Sequence, residues 1–197
     1  MFRAFAPQFR NIIGIIFLGI ALAGCLPVAA LVVGTTVGGA IVYDKRSSKT
    51  IAEDQDSGNV AMGRMMNTPS LRGTHIVLAT FNHIMLMVGQ VNSQEQKDTA
   101  QQIASGAPYV SRVYNELTIQ PSTSDWRRNH DAWITTKVKA DMMATAGLHS
   151  TQIKVVTEDG VVYLMGILTH RQADLATSVA RRVSGVHTVM QVFEYPQ

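Results

Sequence analysis

The chain has 197 residues, of which 46% are hydrophobic and 16% are charged, and it contains one cysteine and carries a formal net charge of +3. This length allows one or two small domains, and a single cysteine excludes a disulfide framework and a cysteine-rich metal site. Arg3 and Arg10 are the only charges before Asp44, so removal of the first 24 residues leaves 15 basic against 14 acidic side chains, a net charge of +1. Bulk charge therefore gives no support for a nucleic-acid partner.

The N-terminus is typical of a bacterial lipoprotein signal peptide. Its arginines precede an apolar run at residues 12–23, which is shorter than the roughly 20 residues that span a bilayer. The run leads into Leu-Ala-Gly-Cys, which resembles a lipobox and has Cys25 at the acylated position. We therefore predict a signal peptide at residues 1–24 and lipid attachment to Cys25, with an apolar Gly-rich tether at residues 25–45.

The predicted anchor determines where the protein is located. Each buried methylene of an acyl chain contributes roughly 0.8 kcal/mol, and two chains already give stable attachment. Leu26 replaces the aspartate associated with inner-membrane retention, so we expect an outer-membrane protein that faces the periplasm. An uncleaved transmembrane helix is the alternative, because residues 11–43 carry no charge, although Pro27 interrupts that stretch.

The remainder of the chain is a duplicated unit. At an offset of 77 residues the two copies carry similar side chains, as in Ile76 and Ile153, Leu78 and Val155, and Gly89 and Gly166. Further along each copy the offset becomes 76, so that Val110 matches Val186. We assign residues 46–120 to a first unit and residues 124–197 to a second, with a short Pro- and Ser-containing linker between them.

The second unit has the clearer pattern. Asp131 is predicted to cap a helix with one apolar stripe, formed by Ile134, Val138 and Met142. Two strand-like segments at residues 152–157 and 161–168 flank an Asp-Gly pair, which is a strong hairpin signal. A second helix is predicted at residues 172–183, followed by a third strand at residues 186–195.

The resulting order, α-β-β-α-β, predicts an α+β fold in which two helices cover one face of a three-stranded sheet. The strand register turns one set of apolar side chains toward the helices: Ile153, Val155, Val162 and Leu164. The first unit repeats this plan with weaker signals, because Asn82-His83 stands in place of the Asp-Gly pair and Gly63 interrupts the first helix. We expect it to be the less regular copy.

Several of these segments resemble a known domain, the BON domain. In the second unit they are residues 131–138, 155–166 and 180–186, and in the first unit residues 89–90 and 113–116. The Asn82-His83 turn departs from the usual glycine. Because a lipobox precedes both units, the chain resembles the dual-BON outer-membrane lipoproteins, and this resemblance implies two tandem BON domains over essentially the whole chain after Cys25.

The resemblance implies a non-enzymatic function. Proteins of this family are periplasm-facing lipoproteins that support envelope integrity and associate with division sites, and their second BON domain binds anionic phospholipid through its first helix and nearby loops. Carried over to this chain, the phospholipid-binding surface comprises Trp133, Ile134, Lys137, Val138 and Met143. The resemblance implies no cofactor.

The chemistry of this surface agrees with that role. The ring of Trp133 suits the headgroup level of a membrane, and Lys137 can meet lipid phosphates. The first unit has Asp56 at the position of Trp133, and an anionic surface would repel this aspartate. Helical spacing alone equally fits burial of Ile134 and Val138 against the sheet, and a core position for Trp133.

No residue pattern indicates catalysis, metal binding or nucleic-acid binding. The six histidines lack the i,i+3 or i,i+4 pairing typical of metal ligands, and they have no cysteine partners. No Gly-rich phosphate-binding motif is present. We therefore expect no enzyme activity, and we retain two hypotheses: binding of anionic phospholipid, or an adaptor that docks to an outer-membrane assembly or envelope-remodelling complex through Trp133.

Overall fold

The structure of the protein, a computed structural model, describes residues 46–196. The predicted signal peptide, Cys25, the tether and the alternative transmembrane helix lie outside these residues. Within the described part of the chain, no helix is long and apolar enough to cross a membrane. We call residues 46–120 the first module and residues 124–196 the second module.

Both modules have the predicted α-β-β-α-β order, and the expected α+β fold is confirmed. The elements of the first module are α1 (Ser48–Met66), β1 (His75–Phe81), β2 (Ile84–Val91), α2 (Gln94–Ser105) and β3 (Arg112–Ile119). Those of the second module are α3 (Asp125–Ala144), β4 (Lys154–Glu158), β5 (Val161–Ile167), α4 (His170–Arg181) and β6 (Thr188–Glu194). Short 3₁₀ turns at Pro69–Leu71 and Ser150–Gln152 precede β1 and β4.

The two sheets have the same topology. In each, the middle strand of the sequence, β2 or β5, lies at the centre and pairs antiparallel with the preceding strand and parallel with the following one. Both central strands contain a glycine where the neighbouring backbone approaches closely. A Cβ atom would lie 2.1 Å from the carbonyl oxygen of His75 at Gly89, and 2.7 Å from that of Gln152 at Gly166. This close approach explains why both copies carry glycine at equivalent positions.

Asp131 does not cap α3, and this prediction was wrong. The helix begins six residues earlier, at Asp125, where the Ser124 hydroxyl accepts a hydrogen bond from the backbone N–H of Arg127. Asp131 instead lies inside the helix and is buried. Its carboxylate accepts hydrogen bonds from the backbone N–H groups of Asp159 and Gly160, at 2.9 and 3.0 Å. A buried helical carboxylate thus holds the tip of the β4–β5 hairpin.

In the first module, a buried helical carboxylate holds the hairpin turn in the same way, although the turn residues differ. The carboxylate of Asp54 accepts hydrogen bonds from the backbone N–H groups of Asn82 and His83, both at 2.7 Å. All four residues of the two turns have positive φ angles, including 64° at His83 and 74° at Gly160. The missing glycine therefore leaves the turn conformation unchanged, and the buried carboxylate stabilises a backbone that histidine rarely adopts.

Each module has a core between its helices and its sheet. In the second module the four strand residues predicted to face the helices are all buried in this core, together with Ile134, Val138 and Met142 of α3. The first module has an equivalent core built around Ala61, Met65 and Met87. The predicted helix-facing register of the second sheet is therefore confirmed.

A third apolar cluster joins the two modules through their sheets. The residues of β1 and β2 in this cluster are Ala79, Phe81, Ile84, Leu86 and Val88, and those of β5 and β6 are Tyr163, Met165 and Val192. At its edge, the buried side chain of Gln90 donates a hydrogen bond to Glu158 at 2.7 Å. Burial here raises the pKa of Tyr163 to about 12, with Glu116 and Glu158 adding to the shift. The sequence analysis did not predict this interface.

Candidate functional site

The first helix of the second module, α3, has one buried and one exposed face. Asp131, Ile134, Val138 and Met142 form the buried stripe, and Ile134 and Val138 are 0% exposed. The expectation that these two residues contact lipid is therefore corrected: both belong to the core of the module. The alternative that helical spacing left open, burial against the sheet, is the correct one for them.

The opposite side of α3 carries a row of exposed aromatic rings. Trp126 is 74% exposed and Trp133 is 49% exposed, and His130 lies between them. The His130 ring stacks on both indoles, with centroids 5.8 Å from each. Trp133 is therefore not a core residue. Together with Lys137, which is exposed one turn further along, these side chains form a surface that we call the aromatic face.

Met143 lies beside the aromatic face and not within it. At 3.6 residues per turn, its position is about 80° around the helix from Trp133. Its side chain is 72% exposed and lines a shallow apolar groove of about 230 Å³ with Lys139, Met142 and Ile153. The structure thus brings Trp133 and Lys137 together and places Met143 on a neighbouring side of the same helix.

The positively charged side chains near α3 differ in whether a carboxylate already pairs with them. Arg127 forms an ion pair with Asp159 at 2.7 Å, and this carboxylate raises the pKa of the Arg127 guanidinium. Arg128 pairs with Asp125 and also donates a hydrogen bond to the carbonyl oxygen of Thr123. Lys137 and Lys139 form no ion pair within residues 46–196 and are exposed. The two lysines are therefore the cations that an anionic surface meets without competition from a carboxylate.

The first module lacks an equivalent of the aromatic face. On α1, Asp56 occupies the position of Trp133 and Val60 occupies the position of Lys137. Met66, at the position of Met143, is 76% exposed. The two modules share a fold and differ in the chemistry of their first helices.

Sequence reasoning missed two members of the aromatic face. Trp126 and His130 lie seven and three residues before Trp133, and both spacings place side chains on one side of a helix. The signal was available, but the predicted helix began at Asp131 and therefore excluded both rings.

Within residues 46–196, no group of three or more His, Cys, Asp or Glu side chains is arranged to hold a metal ion. The aromatic face contains a single imidazole, no carboxylate and no nucleophilic thiol or hydroxyl. Its chemistry consists of exposed rings and a neighbouring cation, which suits binding to a surface.

Comparison with known proteins identifies both modules. A sequence model of the BON domain matches residues 62–121 and 130–197. The outer membrane lipoprotein DolP of Haemophilus influenzae is 36% identical over 177 residues, which cover 89% of this chain and 91% of that protein. A 21 kDa hemolysin of Actinobacillus pleuropneumoniae is 33% identical over 78% of this chain and 80% of its own length. The osmotically-inducible protein Y of Escherichia coli is 30% identical over 64% of each chain.

Proposed function

The chain belongs to the BON-domain family, and from this premise we propose that its second module binds anionic phospholipid headgroups through the aromatic face of α3. The predicted resemblance to the dual-BON outer-membrane lipoproteins is confirmed by the similarity to DolP, and the protein is an envelope lipoprotein associated with the outer membrane. The single observation that carries the proposal is the exposed Trp126–His130–Trp133 stack.

The rings support membrane binding because of their position and chemistry. Trp126 and Trp133 are strongly exposed, although large aromatic side chains are usually buried at least in part. Indole rings favour the headgroup level of a bilayer, where their apolar surface is dehydrated and the N–H finds a polar partner. Lys137, on the same side of the helix, contributes about 1 kcal/mol of attraction to an anionic surface, whereas Lys139 lies about 160° around the helix from Lys137 and lines the groove beside Met143.

In this proposal the protein attaches to the membrane in two ways, through its lipid anchor and through the aromatic face. We assign the acyl chains to Cys25, which holds the protein at the inner leaflet of the outer membrane, facing the periplasm. The aromatic face then adds selectivity for lipid charge, which an acyl chain alone does not supply. In this way the protein supports envelope integrity, including at the division site, without a catalytic step.

The test uses a fragment of residues 42–197, which form one compact unit and lack the anchor, in co-sedimentation with phosphatidylglycerol or phosphatidylcholine vesicles. Its folding is first checked by circular dichroism. This fragment should pellet with phosphatidylglycerol only, and less so at high salt because screening weakens the attraction of Lys137. Trp133→Glu should abolish pelleting, since it replaces an anchoring ring by a charge that the anionic surface repels.

The matched control is Met66→Glu, which adds the same charge at an exposed apolar position on α1 of the first module. It should pellet like the unmodified unit. If a folded unit does not pellet with either lipid, or if Met66→Glu weakens binding as much as Trp133→Glu, the proposal is wrong. The adaptor hypothesis, in which Trp133 contacts an outer-membrane assembly complex, then becomes the better account.

A further inference from the structure

A cleft of about 400 Å³ lies between the two modules, apart from the aromatic face. Residues of α1, together with Thr80 of β1, form its first wall, and Lys154 of β4 contributes from the second module. Its lining combines two cationic side chains, Arg46 and Lys154, with Asp54 and with apolar residues such as Met62. The proposed function assigns no role to this cleft.

Thr80 supplies the first indication of a ligand. Its side chain is 6% exposed, and its hydroxyl is buried with no hydrogen-bond partner. This Oγ1 atom faces Gly58 in the wall of the cleft, where a Cβ atom would lie 3.5 Å away. Because an unpaired buried hydroxyl is costly, such groups normally have a partner. A ligand oxygen in the cleft would provide one.

The two cations supply the second indication. The Lys154 ammonium donates a hydrogen bond to the backbone carbonyl of Thr80 at 3.1 Å, which places it beside the unpaired hydroxyl. Loss of hydration lowers the pKa of Lys154, and the positive charge of Arg46 lowers it further. The two cations of the cleft therefore repel each other, and a bound anion would relieve this repulsion.

The carboxylate of Asp54 already accepts hydrogen bonds and does not act as the anion that pairs with Lys154. One of its oxygen atoms accepts from the His83 N–H, and the other accepts from both the Asn82 N–H and the Arg46 guanidinium. Its carboxylate is thus engaged by the β1–β2 turn and by Arg46, and its negative charge offsets only part of the lowering of the Lys154 pKa. Lys154 forms no ion pair within residues 46–196.

We propose that this cleft binds a phosphate group, with Lys154 and Arg46 as its cationic partners and the Thr80 hydroxyl as a third donor. A phosphate group has four oxygen atoms at the corners of a tetrahedron, and this arrangement suits three donors on separate elements better than the two coplanar oxygen atoms of a carboxylate. The phosphate belongs either to a soluble molecule or to a lipid headgroup, and in both cases its anionic non-bridging oxygen atoms would contact the two cations.

The experiment titrates the full chain in uncharged detergent micelles with sodium phosphate at constant ionic strength. Isothermal titration calorimetry gives the affinity, and the NMR signal of the Thr80 methyl group reports on the site. A second arm adds phosphatidylglycerol to the micelles at a matched phosphate concentration. Saturation of the Thr80 methyl signal in the first arm identifies soluble phosphate as a ligand of the cleft, and its saturation in the second arm alone identifies a lipid headgroup.

Lys154→Gln should weaken binding about tenfold or more, because it removes a charge-assisted contact. Lys49→Gln is the matched control, since Lys49 is 83% exposed and lies outside the cleft, and it should bind like the unmodified chain. Thr80→Val keeps the side-chain shape, and because the hydroxyl has no partner it should fold normally and still bind more weakly.

The proposal is overturned if neither arm saturates, or if Lys154→Gln and Thr80→Val bind as tightly as Lys49→Gln. Neither Trp133 nor Lys137 is altered in any of these variants. A failure of vesicle binding at the aromatic face therefore leaves the test of the cleft intact, and the reverse also holds.

Discussion

At the scale of single residues, Tyr109 shows where the first module departs from the second. It has a φ angle of 60°, and the equivalent position of the second module is Gly185, with a φ angle of 91°. A side chain other than glycine costs roughly 1–2 kcal/mol in the left-handed conformation. The ring of Tyr109 is 54% exposed, so packing offsets little of this cost.

Tyr109→Gly should therefore stabilise the protein. Relief of the left-handed strain exceeds the extra flexibility that glycine gives to the unfolded chain, which costs about 0.4–1 kcal/mol. We expect the free energy of unfolding to rise by about 0.5–1 kcal/mol in urea titrations.

Two further variants test the reason given for this gain. Tyr109→Ala removes the same ring but keeps the Cβ atom, and it should give no gain. Gly185→Ala should destabilise the protein, because its φ angle of 91° strains a residue with a Cβ atom, and this atom would also lie 2.9 Å from Cδ1 of Ile134. An equal gain from Tyr109→Ala would show that the ring, and not the backbone, is the source of the cost.

At the scale of elements, a buried aspartate couples the first helix of each module to its hairpin. Asp131→Ala should cost about 1–3 kcal/mol, since it removes two hydrogen bonds to a carboxylate and leaves two N–H groups of the turn unpaired. Thermal or urea unfolding measures this loss, and Asp54→Ala should show a loss of the same kind.

The control for Asp131 is Asp125→Ala on the same helix. Asp125 is 89% exposed and pairs only at the surface, so its loss should cost roughly 0–1 kcal/mol. Equal losses at Asp125 and Asp131 would contradict the view that the buried carboxylate holds the turn.

The elements themselves were largely predictable from the sequence. Apolar periodicity gave the order of helices and strands, and the Asp-Gly pair gave the second hairpin, because both signals are local. The start of α3 was predicted wrongly, because an aspartate that precedes an apolar stripe is typical of a helix cap. Asp131 in fact lies within the helix, and its side chain is buried. This one error explains both the wrong role of Asp131 and the omission of Trp126 and His130 from the candidate site.

The candidate site residues were predicted less well, because local sequence patterns do not show which side of a helix is exposed. Ile134 and Val138 were included through the family resemblance, while the helical pattern alone already fitted burial, and the structure gives them 0% exposure. Trp133 could not be placed from the sequence, because its position depends on which side of α3 packs against the sheet. The cleft beside Lys154 could not be predicted at all, since Lys154 belongs to the second module and the other lining residues to the first, far away in the sequence.

At the scale of the whole molecule, the two sheets bury their outer faces against each other. The sequence does contain a signal for this, because β2 and β5 are almost continuously apolar and lack the polar alternation of a sheet with one wet face. Such a run predicts that both faces are covered. It does not predict that the other module is what covers the second face of each sheet.

The shared interface should make the modules unfold together. Leu86 of β2 is 0% exposed in the inter-module cluster, and Leu86→Ala should cost about 2–5 kcal/mol. Both tryptophans of the chain lie on α3, so their fluorescence reports on the second module alone. We expect this first-module substitution to lower the urea midpoint measured by tryptophan fluorescence.

Leu117→Ala distinguishes direct coupling at the interface from unfolding of the whole molecule as one unit. Leu117 is 1% exposed and lies in the core of the first module, away from the inter-module cluster. If both variants lower the fluorescence midpoint, the two modules form one cooperative unit. If only Leu86→Ala does so, the interface stabilises the second module directly while each module keeps its own transition. An unchanged midpoint in both variants would mean that the sheet-to-sheet contact adds no stability to the second module.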